Sequence, residues 1–292
     1  MRIDQLLAAG FTKSFEYFPP KNDEESAVLA RTLEELEPLR PSFVSVTYRG
    51  GRESRQRTYD LVADIERRGR VSAMAHLICV GHRRDEMREI LETYHSVGVE
   101  NVMALGGDIP NDPDLVASDF THAVDLVQLA RDVGGFSIGV AAHPLGHPRS
   151  PSLDSDRHFL AEKLALADFA VTQFFFRADE WSRLVSELRD LGVDRPVLPG
   201  IMPVTSLSSL GRMEQMGAPV PDTLTRALEE AHDRGGADAV RRAGINAAAE
   251  LCRELIDRGA PGLHFYTLNK SSATREIHEA LFGEGSKVPK NS

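Results

Sequence analysis

Residues 72–105, SAMAHLICVGHRRDEMREILETYHSVGVENVMAL, contain the pattern that decides the fold. The stretch begins with the apolar run Ser72–Val80, continues with an amphipathic segment over Asp85–Val97, and ends with a second apolar run at Asn101–Leu105. Near-continuous apolar runs are typical of strands buried on both faces, and a helix between two such strands predicts a parallel pair. Gly98 breaks the chain between the helix and the next strand. This stretch therefore predicts one strand–helix–strand unit of an α/β protein.

The same alternation runs along almost the whole chain. The eight predicted strands are Ser14–Phe18, Phe43–Tyr48, Ser72–Val80, Asn101–Leu105, Ser137–Ala142, Phe169–Phe176, Val197–Met202 and Leu263–Leu268. The predicted helices are Glu24–Leu39, Tyr59–Arg68, Asp85–Val97, His122–Val133, Arg157–Ala167, Glu180–Leu191, Ser206–Met216 and a C-terminal helix at Ala273–Phe282. Eight such units in 292 residues predict a (β/α)₈ TIM barrel. A doubly wound open sheet is the alternative, but no G-x-G-x-x-G motif follows the first strand.

Two further helices, Pro221–Asp233 and Ala239–Arg258, are predicted between strands seven and eight. We interpret them as an elaboration of the barrel because no separate set of strands accompanies them. One catalytic barrel domain is therefore expected over residues 1–283. The polar segment GEGSKVPKNS supports a disordered C-terminal tail over residues 284–292.

The composition limits the partners and the compartment. The chain has 34 Lys and Arg against 44 Asp and Glu, a formal charge of −10, so neither nucleic acid nor an anionic membrane is expected as a partner. A locally basic pocket remains compatible with this charge. The two cysteines, Cys79 and Cys252, form no metal or redox motif. No signal core and no apolar run near the roughly 18 residues of a membrane span is seen, so the protein is expected to be cytoplasmic.

The first predicted strand carries a carboxylate in apolar surroundings, in TKSFEYFPP at residues 12–20. On a strand, Glu16 shares its face with Ser14 and Phe18. Burying an unpaired carboxylate is costly, and the usual consequence is a raised pKa, which is what a general acid needs at neutral pH. The alternative is an edge strand whose glutamate faces water. The sequence of this strand alone does not separate the two.

Polar residues stand within or just after every predicted strand. They are Glu16, Thr47, His76, Asp108, His143, His147, Gln173, Thr205, His264, Tyr266 and Asn269. In a TIM barrel the carboxyl ends of the strands carry the chemistry, so these residues are expected to converge on one pocket. Each also has a structural alternative, since a single strand histidine is commonly a core residue and an aspartate after GG is commonly a turn residue. His76, Asp108, His143 and His147 have the residue types of a zinc site, but no H-x-H motif is present and no metal is expected.

The motifs, read in order, resemble those of one enzyme family. They are SFEYFPPK, FVSVTYRGG, AHLIC, NVMALGGD, VAAHPLGHP, VTQFFF, PGIMPVTS and HFYTLN. Their order is that of the methylenetetrahydrofolate reductases, and the resemblance extends from about residue 13 to residue 282. It implies reduction of 5,10-methylenetetrahydrofolate to 5-methyltetrahydrofolate by NADH or NADPH, in one-carbon and methionine metabolism. In this family FAD carries the hydride from the nicotinamide to the folate.

The resemblance also implies roles for individual residues. Glu16 would protonate N10 of the folate, Asp108 would stabilise the iminium cation, and Gln173 would pair with an amide of the pterin or nicotinamide. The implied substrate contacts are Gln173, Leu207, Tyr266, Asn269 and Lys270. The implied cofactor contacts are Thr47, His76, Gly106, Gly107, His143, His147 and Lys163.

Several departures from the family pattern fall on the flavin side of the site. They are Gly106 for an arginine, His143 for a tyrosine, Leu145 for a glutamate, Glu162 for a lysine and Leu207 for a phenylalanine. Arginine, tyrosine and lysine supply charge and stacking to a dinucleotide. We therefore expect weak or absent flavin and direct hydride transfer from the nicotinamide. In the alternative, an ordinary FAD enzyme obtains substitute contacts from Lys163, Arg149 or His143.

Two alternatives of a different kind also remain at this point. A folate-binding barrel without turnover would use the same pocket, although binding alone needs no buried acid. A metal-dependent hydrolase would use the histidines. The choice between NADH and NADPH and the oligomeric state are left open by the sequence.

Overall fold

The computed structural model of the chain describes residues 1–48, 52–107 and 118–283, and these residues form a barrel of parallel strands surrounded by helices. The strands described are β1 Thr12–Tyr17, β2 Phe43–Val46, β3 Ser72–Ile78, β4 Asn101–Leu105, β5 Ser137–Ala142, β6 Phe169–Thr172, β7 Val197–Leu198, β8 Gly200–Ile201 and β9 Gly262–Tyr266. The helices described are α1 Ile3–Ala9, α2 Asp23–Leu36, α3 Arg52–Arg68, α4 Arg84–Ser96, α5 Ala123–Val133, α6 Leu153–Leu166, α7 Ala178–Asp190, α8 Leu210–Gln215, α9 Asp222–Asp257 and α10 Ser272–Phe282. The predicted tail at 284–292 and the candidate residue Asp108 lie outside the described residues.

The barrel closes through a proline in its seventh predicted strand. The hydrogen-bonded order is β7-β6-β5-β4-β3-β2-β1-β9-β8, so the two ends of the sheet are consecutive segments of the chain. Pro199 stands between β7 and β8, and it has no N–H with which to continue a ladder. Its carbonyl still accepts a hydrogen bond from the backbone of His264 at 3.0 Å. The predicted (β/α)₈ barrel is therefore confirmed, with one strand divided in two.

Apolar side chains fill the amino end of the barrel. Phe43, Met74, Met103, Phe169 and Leu198 point inward from five different strands and are at most 5% exposed. The helix α1 covers them from below, a helix that the sequence analysis did not predict. A ligand therefore has to enter from the carboxyl end, as is usual in this fold.

The alternation of β1 decides where the carboxylate of Glu16 lies. Phe15 and Tyr17 point outward into the layer between strands and helices, where neither is more than 1% exposed. Burying an aromatic side chain of this size contributes on the order of 1.5–3 kcal/mol. Because neighbouring residues of a strand point to opposite faces, Glu16 is held inside the barrel.

Some element boundaries differ from the prediction. The strand β6 ends at Thr172, so Gln173 belongs to the following loop. The predicted helix 206–216 is a 3₁₀ turn at Leu207–Ser209 followed by α8. The two extra helices are the halves of α9, divided at Gly235 and Gly236, whose φ angles of −163° and 63° are not helical.

Candidate active site

Glu16 lies inside the carboxyl end of the barrel, 8% exposed, among polar side chains of neighbouring strands. Its Oε2 is 3.5 Å from Nε2 of His76 on β3 and 3.6 Å from Nε2 of His264 on β9. Ser45 on β2 donates its hydroxyl to the same oxygen at 3.4 Å. The parallel register brings these groups together, because Glu16 is aligned with Ser45 on one side and Tyr266 on the other. The predicted inward orientation is confirmed, and the water-facing edge strand is wrong.

His264 is fixed in orientation by its other ring nitrogen. Its Nδ1 is 2.8 Å from the hydroxyl of Ser14, and its ring stacks on Phe43 with centroids 6.2 Å apart. The imidazole is 1% exposed. Because Nδ1 is occupied by Ser14, Nε2 is the atom that His264 presents to Glu16.

Tyr266 forms the next part of the wall. Its hydroxyl donates to the carbonyl of Thr172 at 2.6 Å, and its ring meets His264 edge to face at 5.3 Å. Gly200 leaves the space for this ring, since a Cβ there would lie 2.5 Å from Tyr266 Cε2 and 2.3 Å from Thr172 O. Burial and the nearby charge of Glu16 raise the pKa of Tyr266 well above its usual value, so the residue remains a neutral phenol.

The expectation of a raised pKa at Glu16 is wrong for this structure. Desolvation by burial does raise it, but the interactions of the carboxylate with His264, His76 and Ser45 outweigh that effect, and the pKa lies below its usual value. Burial also lowers the pKa of His76, so at neutral pH its charge, and part of the lowering at Glu16, is lost. The three groups lie close enough for a proton to be shared among them.

Two buried polar atoms beside Glu16 have no hydrogen-bond partner among the described residues. They are Oγ1 of Thr47, just after β2, and Nε2 of His76 on β3. The register that aligns Val46 with Ala75 makes Thr47 and His76 neighbours. Buried polar groups are nearly always paired, so these two atoms indicate where a polar ligand would lie. The predicted cofactor contacts at Thr47 and His76 are compatible with this geometry and stay predictions.

Gln173 follows β6 and Leu207 follows β8, so both lie at the open carboxyl end of the barrel, on the side opposite β3. The amide of Gln173 is half-buried, donates to Met216 O at 3.3 Å and accepts from Phe174 N at 3.0 Å. Leu207 is also half-buried and, like Tyr266, packs against an apolar cluster formed by the loops after β6 and β8 and by α8 and α9. The two side chains and Tyr266 thus form a partly apolar wall with one amide.

The loop after β9 contains the predicted contacts Asn269 and Lys270. The side-chain amide of Asn269 donates to Phe18 O and accepts from Phe18 N, both at 2.9 Å. Both atoms of this amide are therefore already hydrogen-bonded to the backbone that follows β1. Lys270 is exposed. Both stay predicted substrate contacts, and the bonds of Asn269 give that residue a second interpretation, which is developed below.

A cleft of about 110 Å³ lies at the carboxyl end of β5, against α6. Its lining residues are Ala141, Ala142, His143, His147, Ser150, Asp156, Phe159, Leu160 and Lys163. Lys163 donates to Ala141 O at 3.1 Å, and burial lowers its pKa. Burial, with the charge of His147 nearby, lowers the pKa of His143 to about 4, so His143 is neutral at physiological pH. Glu162 is exposed, and its neighbour Lys163 lines the cleft.

Gly106 and Gly107, two of the predicted cofactor contacts, lie just after β4. Gly106 has no side chain to offer a ligand. The space around it is open, because a Cβ added there would meet no described atom within 4 Å. Gly107 has a φ of 87°, and its carbonyl accepts from the exposed guanidinium of Arg149 at 3.1 Å. Pockets that bury a cofactor-sized ligand usually measure about 300–1,000 Å³, several times the volume of the β5–α6 cleft. The β5–α6 cleft by itself is therefore smaller than a site that would bury a whole FAD.

The described part of the chain contains neither a metal-binding cluster nor a membrane-spanning helix. No group of three or more His, Cys, Asp or Glu side chains there is arranged to hold a metal ion. No helix among residues 1–48, 52–107 and 118–283 combines the length and apolar character needed to cross a membrane.

The residues that sequence reasoning undervalued are Ser14, Ser45 and His264. For His264 the sequence favours a core histidine over a functional one, and the residue is buried, yet its Nε2 faces the carboxylate of Glu16. The available signal was the alternation of β9, which puts His264 and Tyr266 on one face of the strand. Nothing in a single strand could indicate that Ser14 would fix the imidazole.

Comparison with known proteins agrees with this geometry. The family model of methylenetetrahydrofolate reductase matches residues 2–282. A 5,10-methylenetetrahydrofolate reductase from Pectobacterium carotovorum subsp. carotovorum is 33% identical over 273 residues, covering 92% of this chain and 89% of that protein. Methylenetetrahydrofolate reductase (NADH) 1 from Arabidopsis thaliana is 34% identical over 285 residues, covering 92% of this chain and 48% of that protein.

A solved structure shares the fold. It is an uncharacterized protein from Clostridium thermocellum described as binding two copies of 5-methyl-5,6,7,8-tetrahydrofolic acid, with a TM-score of 0.69 and 13% identity over 95% of this chain and 96% of that one. The match to the family model over nearly the whole chain, together with the relatives above 30% identity, is decisive for membership. The chain belongs to the methylenetetrahydrofolate reductase family.

Proposed function

We propose that this protein reduces 5,10-methylenetetrahydrofolate to 5-methyltetrahydrofolate, with a reduced nicotinamide as the hydride donor. The observation that carries the proposal is the buried carboxylate of Glu16 between two imidazoles at the open end of the barrel. The names of the related reductases support the substrate, and that of the Arabidopsis relative supports NADH. A protein that only binds folate would gain nothing from burying an acid there, because desolvating a carboxylate is costly.

The first chemical step is opening of the five-membered ring of the folate. Glu16 donates a proton to N10, the bond between N10 and the methylene carbon breaks, and its electron pair stays on N10. The product is a 5-iminium cation, whose methylene carbon accepts hydride from C4 of the nicotinamide. NAD⁺ or NADP⁺ leaves, and the methylene has become a methyl group.

The surroundings of Glu16 support two roles for it, delivery of the proton and stabilisation of the cation that forms. His76 and His264 lie within 3.6 Å of the carboxylate, so a proton that enters this cluster can reach Glu16 before its transfer to N10. Once the proton has left, the negative charge of Glu16 lies near the iminium cation and stabilises it. Asp108, whose position is not described, is proposed to add a second negative charge.

The wall formed by Gln173, Leu207 and Tyr266 is proposed to receive the pterin and the aromatic ring that follows it. Gln173 offers both a donor and an acceptor, and its bond to Met216 O is long, at 3.3 Å, so it is weakly held by the protein. Exchange of this bond for the amide edge of a pterin costs little. Leu207 supplies an apolar contact.

Direct transfer from nicotinamide to iminium is proposed in place of transfer through a resident flavin. Its support is the absence of a side chain at Gly106 and the small volume of the cleft at β5 and α6. A specific observation favours the ordinary FAD-dependent scheme as the second candidate. Lys163 lines that cleft and Arg149 reaches Gly107 O, so two basic side chains lie beside residues that are predicted cofactor contacts.

The test is to purify the protein without added cofactor, record its visible spectrum, and follow NADH or NADPH oxidation with and without methylenetetrahydrofolate. Folate-dependent oxidation by a colourless preparation, with 5-methyltetrahydrofolate as product, supports the proposal. A yellow preparation, or activity only after FAD is added, supports the second candidate. Folate binding without any turnover would refute the reductase assignment.

A further inference from the structure

Past the last paired residues of β1 and β9, side chains continue the pairing between the two strands. The backbone register ends at Glu16 and Tyr266. Beyond it, Thr267 donates its hydroxyl to Glu16 O at 2.6 Å. The amide of Asn269 then binds both the N–H and the C=O of Phe18 at 2.9 Å. A side-chain amide here takes the part of a missing backbone partner.

Thr267 and Asn269, the two residues that make these bonds and that we call the β9 clasp, stand in a segment with an unusual backbone. Leu268 and Asn269 have φ angles of 52° and 56°, in the left-handed region that non-glycine residues seldom adopt. Such conformations persist when surrounding contacts impose them, and they occur often at functional sites. Here the contact is from α2, where Thr32 donates to Asn269 O at 2.9 Å.

The carboxylate of Glu16 is weakly held by its own side-chain contacts. Among the described residues, its closest partners are Ser45 at 3.4 Å, His76 at 3.5 Å and His264 at 3.6 Å. All three distances exceed those of a strong charge-assisted hydrogen bond, about 2.7–2.9 Å. The backbone of β1 must therefore supply much of the positional restraint, and the clasp binds that backbone at Glu16 O and Phe18.

We propose that Thr267 and Asn269 are positioning residues for the proton donor, and that Asn269 acts through the backbone of β1 and not by touching the substrate. The proposal rests on the proposed function for its kinetic consequence but not for its geometry. Asn269 holds the peptide of Phe18, two residues after Glu16, and Thr267 holds the carbonyl of Glu16 itself. Loss of either contact lets the carboxylate move relative to His76, His264 and the phenol of Tyr266, the titratable groups described around it.

The test compares Asn269→Gly with Leu268→Gly. Glycine at 269 keeps the left-handed backbone at low cost and removes both bonds to Phe18. Glycine at 268 relieves the same backbone conformation and removes only a side chain that is 48% exposed. We expect kcat of Asn269→Gly to fall about tenfold or more, since small misplacement of a reacting group is costly, while KM for methylenetetrahydrofolate stays within about twofold. Leu268→Gly keeps wild-type kcat and KM.

A second measurement does not need turnover. Carboxyl-labelled glutamate in the whole protein allows the titration of Glu16 to be followed by carbon NMR, with Glu16→Gln assigning the signal. The apparent pKa of Glu16 is expected to differ from wild type by about 0.5 unit or more in Asn269→Gly and to coincide with wild type in Leu268→Gly. If the wild-type protein is inactive, the proposed reductase function is refuted. The titration of Glu16 would then still test, without any turnover, whether the β9 clasp positions Glu16.

Three results would overturn the proposal. The first is a raised KM for the folate at unchanged kcat in Asn269→Gly, which is the signature of a substrate contact. The second is an unchanged titration of Glu16 in that variant. If Asn269→Gly does not fold, Thr267→Val replaces it in both measurements, because this variant removes the donor to Glu16 O. The third result that would overturn the proposal is then an unchanged kcat and an unchanged titration of Glu16 in Thr267→Val.

Discussion

Replacing Glu16 with glutamine removes the proton donor while keeping the shape of the side chain. The amide can still accept the hydrogen bond of Ser45, which is 3.4 Å from Oε2 in the wild type, so the packing at the end of β1 is preserved. What is lost is the proton for N10. General acid catalysis contributes roughly 10²–10⁴-fold, so kcat with methylenetetrahydrofolate should fall by about 10²-fold or more, equivalent to about 2.7 kcal/mol of barrier.

The assay is NADH oxidation at saturating methylenetetrahydrofolate, with the methyl product measured separately. Glu66→Gln is the matched control, because Glu66 is also a partly buried glutamate but accepts from Ala73 N at the amino end of β3, away from the site. Its kcat should equal that of the wild type. Turnover by Glu16→Gln within about threefold of wild type would refute the reasoning, since a general acid contributes far more.

The same variant has a predictable effect on stability. The pKa of Glu16 in the folded protein lies below its usual value, because its interactions with His264, His76 and Ser45 outweigh the desolvation. Such a carboxylate stabilises the fold above its unfolded pKa, about 4.3, and this contribution is lost as the pH falls through the folded pKa. The difference in free energy of unfolding between wild type and Glu16→Gln should therefore be larger at neutral pH than in acid. An opposite trend in urea titrations would mean that the pKa of Glu16 is raised.

Two further predictions concern the wall and the second carboxylate. Gly200→Ala should lower the free energy of unfolding by about 1–3 kcal/mol, because the new Cβ would lie 2.3 Å from Thr172 O, a backbone atom that cannot move aside. The control is Gly211→Ala on α8, where a Cβ meets nothing within 4 Å, and this variant should not lower the free energy of unfolding. Asp108→Asn should lower kcat while leaving circular dichroism and melting nearly unchanged, because the role proposed for Asp108 is to stabilise the cation by its charge. Melting that falls with kcat in Asp108→Asn would indicate a turn residue instead.

The fold was predictable because burial imposes a period on the sequence. Strand runs such as Ser72–Val80 and the helices between them recur eight times, and that count is close to sufficient for the barrel. The helix α1 was missed because it has only seven residues and its function is local, to cover the amino end of the barrel. The break at Pro199 was missed because hydrophobicity alone does not show which partner a strand has on each side.

The candidate site was predictable only in part. Alternation on β1 puts Glu16 on the face opposite Phe15 and Tyr17, and the barrel predicted from the rest of the chain makes that face the interior. The sign of its pKa shift was not predictable, because it depends on His76 and His264, which the barrel brings to Glu16 from distant parts of the chain. Likewise, the choice between Glu162 and Lys163 at the β5–α6 cleft depends on the rotation of α6, which the alignment of motifs does not give.

The central claim is that Glu16 opens the folate ring for a hydride that comes directly from the nicotinamide. It is tested most directly with NADH deuterated at the transferred position of C4, using protein whose spectrum shows no flavin. The account predicts one deuterium in the methyl group of 5-methyltetrahydrofolate for each NADH oxidised, with no loss to water, because carbon-bound hydrogen does not exchange during direct transfer. Deuterium that is washed out into solvent, together with a requirement for added FAD, would contradict the account and assign the hydride to a flavin carrier.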